Sequence, residues 1–357
     1  TEKGGSYRTV QRFFKGQTDW AKLRWMLIKQ HVAHKKSIFL LLGDEVIVTK
    51  SGKKTHGLGM FFSSIYDKVL PGLCFLNLSL LDVETRTAYP LTTEQLVRGD
   101  VQGSAPKAVK EKHKTAGRPK GSADKNKKDV ELSPFQAQLQ GCIRSALALI
   151  GVDLAIVYFV YDGALGNNAG LQAVKRLGLH LISKLRHDST LYFPYDGEYS
   201  GKGRPRKYGG RLTLETLTDG HLKSESVEKA VRTRIYQVQA WHKNFPELLN
   251  VVIIVKTNLK TGRAAKVLLF SDDLTLASET LVDYYSLRFQ IEFNFRDAKQ
   301  YWGLEDFMNV KETPVKNAAN FSQFMVTFSQ ILSAKIEGMN RGSMLDLKTV
   351  FRARKYT

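Results

Sequence analysis

The sequence predicts an α/β fold, a mixed β-sheet flanked by helices, and three observations carry that prediction. Two short, unbroken apolar runs, Ile38 to Leu42 and Leu154 to Tyr161, each stop at a carboxylate, Asp44 and Asp162. Continuous runs of this length suit strands covered on both faces. Helical patterns surround the second run, SPFQAQLQGCIRSALALIG before it and AGLQAVKRLG after it, so strand and helix alternate.

Taken in order, residues up to about Lys36 read as helical, with SYRTVQRFF followed by DWAKLRWMLIKQHVA and apolar positions Trp20, Leu23, Leu27 and Ile28 at helical spacing. The Asp44 strand comes next, then GMFFSSIYDKV and LCFLNLSLLDVETRTAYPL as strands with a hairpin turn near Glu84-Thr85. Glu45 is a rival to Asp44, but a strand neighbour points to the opposite face. The apolar stretch Ala146 to Tyr161 is broken by Gly151 and Asp153, and reads as a helix end running into the Asp162 strand. After Asp162, GALGNN is a glycine-rich exit with Asn167 or Asn168 as N-cap of a helix closing at Gly178. That order leaves a carboxylate exposed at a sheet's C-terminal edge. LHLISKL is a further strand, and this succession is consistent with right-handed crossovers. Downstream, RTRIYQVQAWH, LNVVIIVKTN and KVLLFSDD read as strands, the last two flanking the hairpin signal Asn258 to Gly262. Ser278 is a cap candidate for a helix that ends near Gly303, and NAANFSQFMVTFSQILSAKIE is another helix.

Composition narrows the partner. The chain has 54 Lys and Arg against 34 Asp and Glu, a net +20, which suits a polyanion and argues against a small neutral substrate. From Lys107 to Lys128 nine basic residues face only Glu111 and Asp124, so this segment cannot bury a core and is expected to form a loop. Within it, Gly117-Arg118-Pro119-Lys120 has a counterpart in Gly203-Arg204-Pro205-Arg206-Lys207. An Arg between Gly and Pro can lie in a narrow A·T minor groove, as in AT-hook peptides; the alternative is a pair of solvated loops. Cys74 and Cys142 are the only cysteines, too few for a disulfide framework, so a reducing intracellular setting is expected. No membrane span or signal peptide is evident.

The richest stretch is Tyr285 to Lys299, YSLRFQIEFNFRDAK. Read as one helix at ~100° per residue, Tyr285, Arg288, Glu292 and Lys299 fall at roughly 0°, 300°, 340° and 320°. An aromatic ring, two cations and a carboxylate therefore share one stripe. Phe289, Ile291, Phe293 and Phe295 cover much of the remaining circumference, and a polar stripe on an otherwise apolar helix suggests a site rather than a solvated face.

This Y-x2-R-x3-E-x6-K spacing resembles the YREK motif of the bacterial insertion-sequence transposases of family four. The resemblance implies an RNase H-like catalytic domain that cuts DNA with an Asp-Asp-Glu triad. It implies two aspartates at upstream core strand ends, which map to Asp44 and Asp162, with Glu292 third. The segment after Asp44, with Lys50, Lys53 and Lys54 among Gly52, Gly57 and Gly59, resembles the family's D-x-x-x-x-K-x-G-K region, with five residues rather than four between Asp44 and Lys50, and suits a turn approaching a phosphate backbone.

The implied chemistry is phosphodiester cleavage at two Mg²⁺ ions held by Asp44, Asp162 and Glu292, with Mn²⁺ as a substitute; hard cations prefer carboxylate oxygens. Cleavage liberates a 3′-hydroxyl that attacks another phosphate, first forming a hairpin and later joining target DNA. On the resemblance, Arg288 and Tyr285 hold a phosphate beside an extruded base, and Lys299 contacts DNA. Lys50, Lys53, Lys54, Arg118, Lys120, Arg204, Arg206 and Lys207 are further DNA contacts. Trp241 is either a stacking partner for the extruded base or a tryptophan packed in a β-rich region.

The expected organisation is a partial helical DNA-binding region (1–36), the first part of the RNase H-like core (37–195, with a basic loop at 103–131), a β-rich insertion (196–276) and the core's C-terminal helices (277–357). The 130 residues between Asp162 and Glu292 are too many for a loop between core elements, which is why an insertion is required. Thr1 is not a natural start, so upstream residues are expected. The partners expected are double-stranded DNA and a second copy of the chain in a synaptic complex, in a bacterial cytoplasm at the nucleoid. A catalytically silent transposase-derived DNA-binding protein is the alternative, and another RNase H-like nuclease a third.

Overall fold

The computed structural model describes residues 6–33, 37–63, 67–97, 126–199, 201, 203–336 and 344–356. The expected loop at 103–131, including Arg118 and Lys120, lies outside them except for residues 126–131.

Helices α1 (Tyr7–Lys15) and α2 (Trp20–His31) lead into β1 (Phe39–Thr49), β2 (Gly59–Ser63), β3 (Lys68–Asp82) and β4 (Thr87–Leu96). Then follow α3 (Pro134–Ile150), β5 (Tyr158–Val160), α4 (Asn168–Lys175), β6 (His180–Leu185), β7 (Leu191–Pro194), β8 (Tyr208–Leu212) and β9 (Leu222–Glu228). The rest is β10 (Val231–His242), β11 (Leu248–Asn258), β12 (Ala264–Ser271), α5 (Ser278–Leu287), α6 (Gln290–Trp302), α7 (Glu312–Lys335) and α8 (Met344–Tyr356).

The strands form one mixed sheet in the order β2-β3-β1-β5-β6-β12-β11-β10-β7-β8, with β4 pairing β3 and β9 pairing β10. β5 lies parallel to both β1 and β6, while the other pairings are antiparallel. This helix-flanked mixed sheet is consistent with an RNase H-like fold. Strands β10 to β12 continue the same sheet, because β12 pairs directly with β6.

Each sheet face buries its own core. Leu41, Phe159, Leu181 and Val251 point to one side, where α2, α3 and α4 cover them. Leu40, Leu42, Val160, Ile182 and Val252 point to the other, against α5, α6 and α7. Burying a Leu, Ile or Val side chain is worth about 1.5–3 kcal/mol each, so both helical layers are held by the strands' apolar alternation.

Three expectations change. The Asp162 strand is only Tyr158–Val160, because the chain leaves α3 through Gly151 (φ 58°) and spends the residues up to Val157 crossing from helix layer to sheet. The Tyr285 to Lys299 stretch is two helices, not one: at Arg288 and Phe289 the backbone bonds run to the third residue back, Arg288 N–H to Tyr285 and Phe289 N–H to Ser286. The first of them is capped by Ala277 rather than Ser278, whose amide donates to the Gln237 side chain instead. In α2, Trp20 and Ile28 are buried as the spacing requires, Leu27 is partly buried, and Leu23 is exposed. Asn167 is the cap of α4 and Gly178 closes its end with φ 78°.

The N-terminal helices pack on the body of the protein. Trp20 Nε1 donates to Asn317 on α7, and the fully buried Arg24 reaches Thr93 on β4 and Asn320 on α7. Burial lowers the Arg24 pKa to about 9, with Glu94 opposing the shift. Among the described residues no helix is long and apolar enough to cross a membrane.

Gly43 is where β1 meets β5 most closely: an added Cβ would stand 2.7 Å from the Phe159 ring and 2.8 Å from that of Tyr161. Gly43→Ala is therefore expected to lower the unfolding free energy by about 1–3 kcal/mol, measured by denaturant titration.

Candidate active site

Strand register places the first two carboxylates. Leu42 on β1 is opposite Val160 on the parallel β5, so Asp44 lies two residues further along β1 and Asp162 two residues past Val160, just beyond the end of β5. Residues two apart share a face, and neighbouring strands are about 4.8 Å apart. Leu42 and Val160 face the layer of α5 and α6, and so does Asp44. Glu45 takes the opposite face, where its Oε1 accepts a hydrogen bond from the Tyr161 hydroxyl at 3.1 Å.

α6 brings the third. Ile291, Phe295 and Ala298 bury one side of this helix against the sheet, which turns Glu292 along the sheet toward β1. The turn at Arg288 and Phe289 joins α5 to α6, and Arg288 extends between the two elements. Its Nη1 donates to Asp44 Oδ2 at 2.8 Å and its Nη2 to Glu292 Oε1 at 3.2 Å. Asp44 Oδ1 accepts from the Glu45 amide, and Asp162 Oδ1 from the Ala164 amide at the start of a 3₁₀ turn. The Asp162 carbonyl takes a bond from the Ser183 hydroxyl on β6, which fixes the strand end.

Burial sets the electrostatics. Desolvation pushes Asp44 up to about 6, with Arg288 and the Glu45 amide opposing and the charges of Asp162 and Glu292 adding to the rise. Burial acts against the Arg288 charge, but Asp44, Tyr285, Glu292 and Asp162 outweigh it and hold its pKa above the usual value. Burial raises the Tyr285 hydroxyl, and Arg288 works against that. Arg288 Nε is buried without a hydrogen-bond partner. Three carboxylates thus lie around one half-buried guanidinium, which is in direct contact with two of them.

A cleft of about 630 Å³ runs beside this group, lined by Asp44 and Glu292 together with Ile47, Phe62, Arg296 and Lys299. Arg296 and Phe62 are absent from the residues expected from sequence. Arg296 was within reach, since it follows Glu292 by one helical turn on the same stripe; Phe62, on a hairpin strand, gave no signal. The donor chemistry suits a hard divalent cation, since every candidate ligand is a carboxylate. Among the described residues, however, no three His, Cys, Asp or Glu side chains are gathered closely enough to hold a metal ion. Arg288 bridges the carboxylates instead.

The other expected DNA contacts separate into groups. Lys299 donates to the Ile47 carbonyl and pairs with Glu305 at 2.8 Å. Lys50 donates to the carbonyls of Glu305 and Phe307 and lies 3.7 Å over the Phe307 ring, so it fastens the loop after α6 to the end of β1. Lys53, Lys54, Arg204 and Arg206 are exposed. Trp241 stands far from the carboxylates. Following the pairings from Val160 through Ile182, Ser271 and Asn250 to Gln239, it lies about 13 Å along and about 19 Å across the sheet from Asp162. One face of its ring is covered by Lys207 at 3.4 Å.

The raised Asp44 pKa has a direction. A carboxyl pKa lifted from 3.8 to about 6 contributes stability that is full below 3.8 and lost as pH rises through 6. Between pH 4.5 and 7 the loss from this group is about 2 kcal/mol at ~1.4 kcal/mol per pKa unit. Denaturant unfolding without added metal should therefore show a smaller fall in stability over this range for Asp44→Asn than for wild type; parallel curves would mean that Asp44 titrates normally.

The family profile described as "DDE superfamily endonuclease" matches residues 1–246, which include Asp44 and Asp162 and stop short of Glu292. No curated protein matches the chain. With well over half its length matched, the chain belongs to the DDE superfamily endonuclease family.

Proposed function

We propose that this endonuclease is a transposase of the insertion-sequence family-four type, which cleaves the ends of its element and joins the freed 3′-hydroxyl to target DNA. The observation that supports this reading is the convergence of Asp44 on β1 and Asp162 just past the end of the parallel β5 with Glu292 and its neighbour Arg288 from the helices that cover them. The aspartates lie in the matched segment, and the YREK spacing supplies the rest.

Asp44, Asp162 and Glu292 are the residues that would hold two Mg²⁺ ions, with Mn²⁺ as a substitute, and to do so they would have to draw closer than they stand here, with Arg288 giving way from between Asp44 and Glu292. When bound, such ions lower the pKa of water and stabilise charge on the attacking and leaving oxygens of an in-line displacement. The chain's own residues do the positioning. Arg288 is a planar fork suited to phosphate oxygens, and it is held beside the carboxylates before DNA arrives. Tyr285, one turn before it, flanks the same phosphate next to an extruded base. Hydrolysis breaks the bond between phosphorus and the 3′ oxygen, and the resulting 3′-hydroxyl attacks a second phosphate, by way of a hairpin on the opposite strand and then in target DNA.

In this reading residues 1–36 belong to a DNA-binding region, residues 37–195 and 277–357 to the core, and residues 196–276 to an insertion between its second and third carboxylates. Two copies of the chain hold the two ends together, at the nucleoid of a bacterial cytoplasm.

The decisive test is Mg²⁺- or Mn²⁺-dependent cleavage of a labelled duplex carrying the DNA that flanks the gene. Wild type should cut it and give hairpin-sized products, and Asp162→Ala should bind without cutting. Binding without cleavage by both would turn the reading to a silent DNA-binding protein. Glu292→Gln should lower cutting by more than about a hundredfold while leaving binding within about twofold. Loss of binding instead would assign Glu292 a structural role. Arg288→Ala should slow hairpin formation and joining more than the first nick; equal slowing of every step would remove Arg288 from the extruded-base role.

A further inference from the structure

A second cationic surface lies away from the carboxylates, and five residues build it: Lys127, Arg204, Arg206, Lys207 and Lys243. Among the described residues none of the five makes an ion pair with a carboxylate. Four of them are held by rings and carbonyls instead, and Arg204 is exposed beside them. Lys207 lies 3.4 Å over Trp241 and donates to the Pro246 carbonyl at 3.0 Å. Lys243 lies 5.0 Å over Tyr192, and Arg206 lies 5.1 Å over Tyr195. The Lys127 ammonium donates to the Lys243 carbonyl. Tyr192, Tyr208 and Trp241 meet edge to face, which makes the underlying platform continuous.

The crowding is electrostatically costly. Lys207 has its pKa lowered, first by burial and then by the like charges of Lys127 and Arg204, with only Glu247 opposing. Glu247 is itself engaged by Lys175 and Gln172. A surface that gathers cations against their mutual repulsion, with no carboxylate partner, is complementary to a polyanion.

Location separates this surface from the cleft. Trp241 is about 13 Å along and about 19 Å across the sheet from Asp162, a separation of about 23 Å that amounts to roughly seven base pairs of duplex at ~3.4 Å each. Residues 127 to 130 are also fastened to the body here. Asn168 holds the Lys127 carbonyl, and Arg176 holds those of Lys128 and Val130.

We infer that Lys127, Lys207, Lys243 and the arginines beside them form a second anchor for duplex DNA, gripping the phosphate backbone away from the bond that is cut. Because the rings already carry the protein's own cations, the anchor contacts phosphates and not bases, and it is indifferent to sequence. The inference rests on the endonuclease reading of the carboxylate site.

The test uses the complete chain and a 60-base-pair duplex containing the cut position. The salt dependence of binding and the hydroxyl-radical footprint are measured for wild type, for Lys127→Gln/Lys243→Gln, and for Lys127→Arg/Lys243→Arg. The glutamine pair should flatten the slope of log K against log salt by about 1.8, at ~0.9 per phosphate, and lose protection about five to eight base pairs from the cut. The arginine pair should keep both, showing that charge and not folding is read. An unchanged slope, or protection lost at the cut itself, overturns the inference while leaving the endonuclease reading in place. A wild type that binds no duplex overturns both.

Discussion

The parallel pairing of β1 with β5 is the constraint on which the candidate site depends. It brings together residues more than a hundred positions apart and sets Asp44 level with Asp162, on the face that α5 and α6 cover. A slip of one residue in this pairing would send one carboxylate to the other side of the sheet, because side chains alternate along a strand. The pairing is short, and its neighbourhood is made to hold it. Gly43 lets the Phe159 and Tyr161 rings lie against β1, and the Tyr161 hydroxyl ties across to Glu45. Aromatic packing on one face thereby supports carboxylate placement on the other.

Arg288 is the electrostatic counterpart of that constraint. Asp44 is half-buried beside like charges, and a desolvated charge without a partner is expensive. The guanidinium supplies the partner in contact with Asp44 and Glu292, and the helical joint at Arg288 and Phe289 allows it to reach them. A site arranged in this way has a cation in place before any substrate or ion arrives.

Charge elsewhere on the molecule is distributed between structural and surface roles. Lys50 and Lys299 are drawn into intramolecular contacts that fasten the loop after α6 to β1. Lys127, Lys207 and Lys243 instead rest on rings and carbonyls, where their charge stays uncompensated. Net positive charge read from composition cannot distinguish these cases, since a lysine bound to a carbonyl and a lysine open to solvent count alike.

Much of the layout was legible in the chain itself. Apolar runs ending in Asp44 and Asp162 marked the strands because a strand buried on both faces must be apolar throughout, and Asn167, Gly178 and Gly303 marked helix ends because capping is local chemistry. The spacing of Tyr285, Arg288, Glu292 and Lys299 was legible for the same reason, since a turn of helix repeats every few residues. The break at Arg288 and Phe289 was not, because it lets Arg288 meet Asp44, a partner far away in sequence. Nor was the place of Trp241, which follows from five strands in register rather than from its neighbours. Local interactions determine which element a residue joins, and the sheet pairings decide which residues from distant elements share one site.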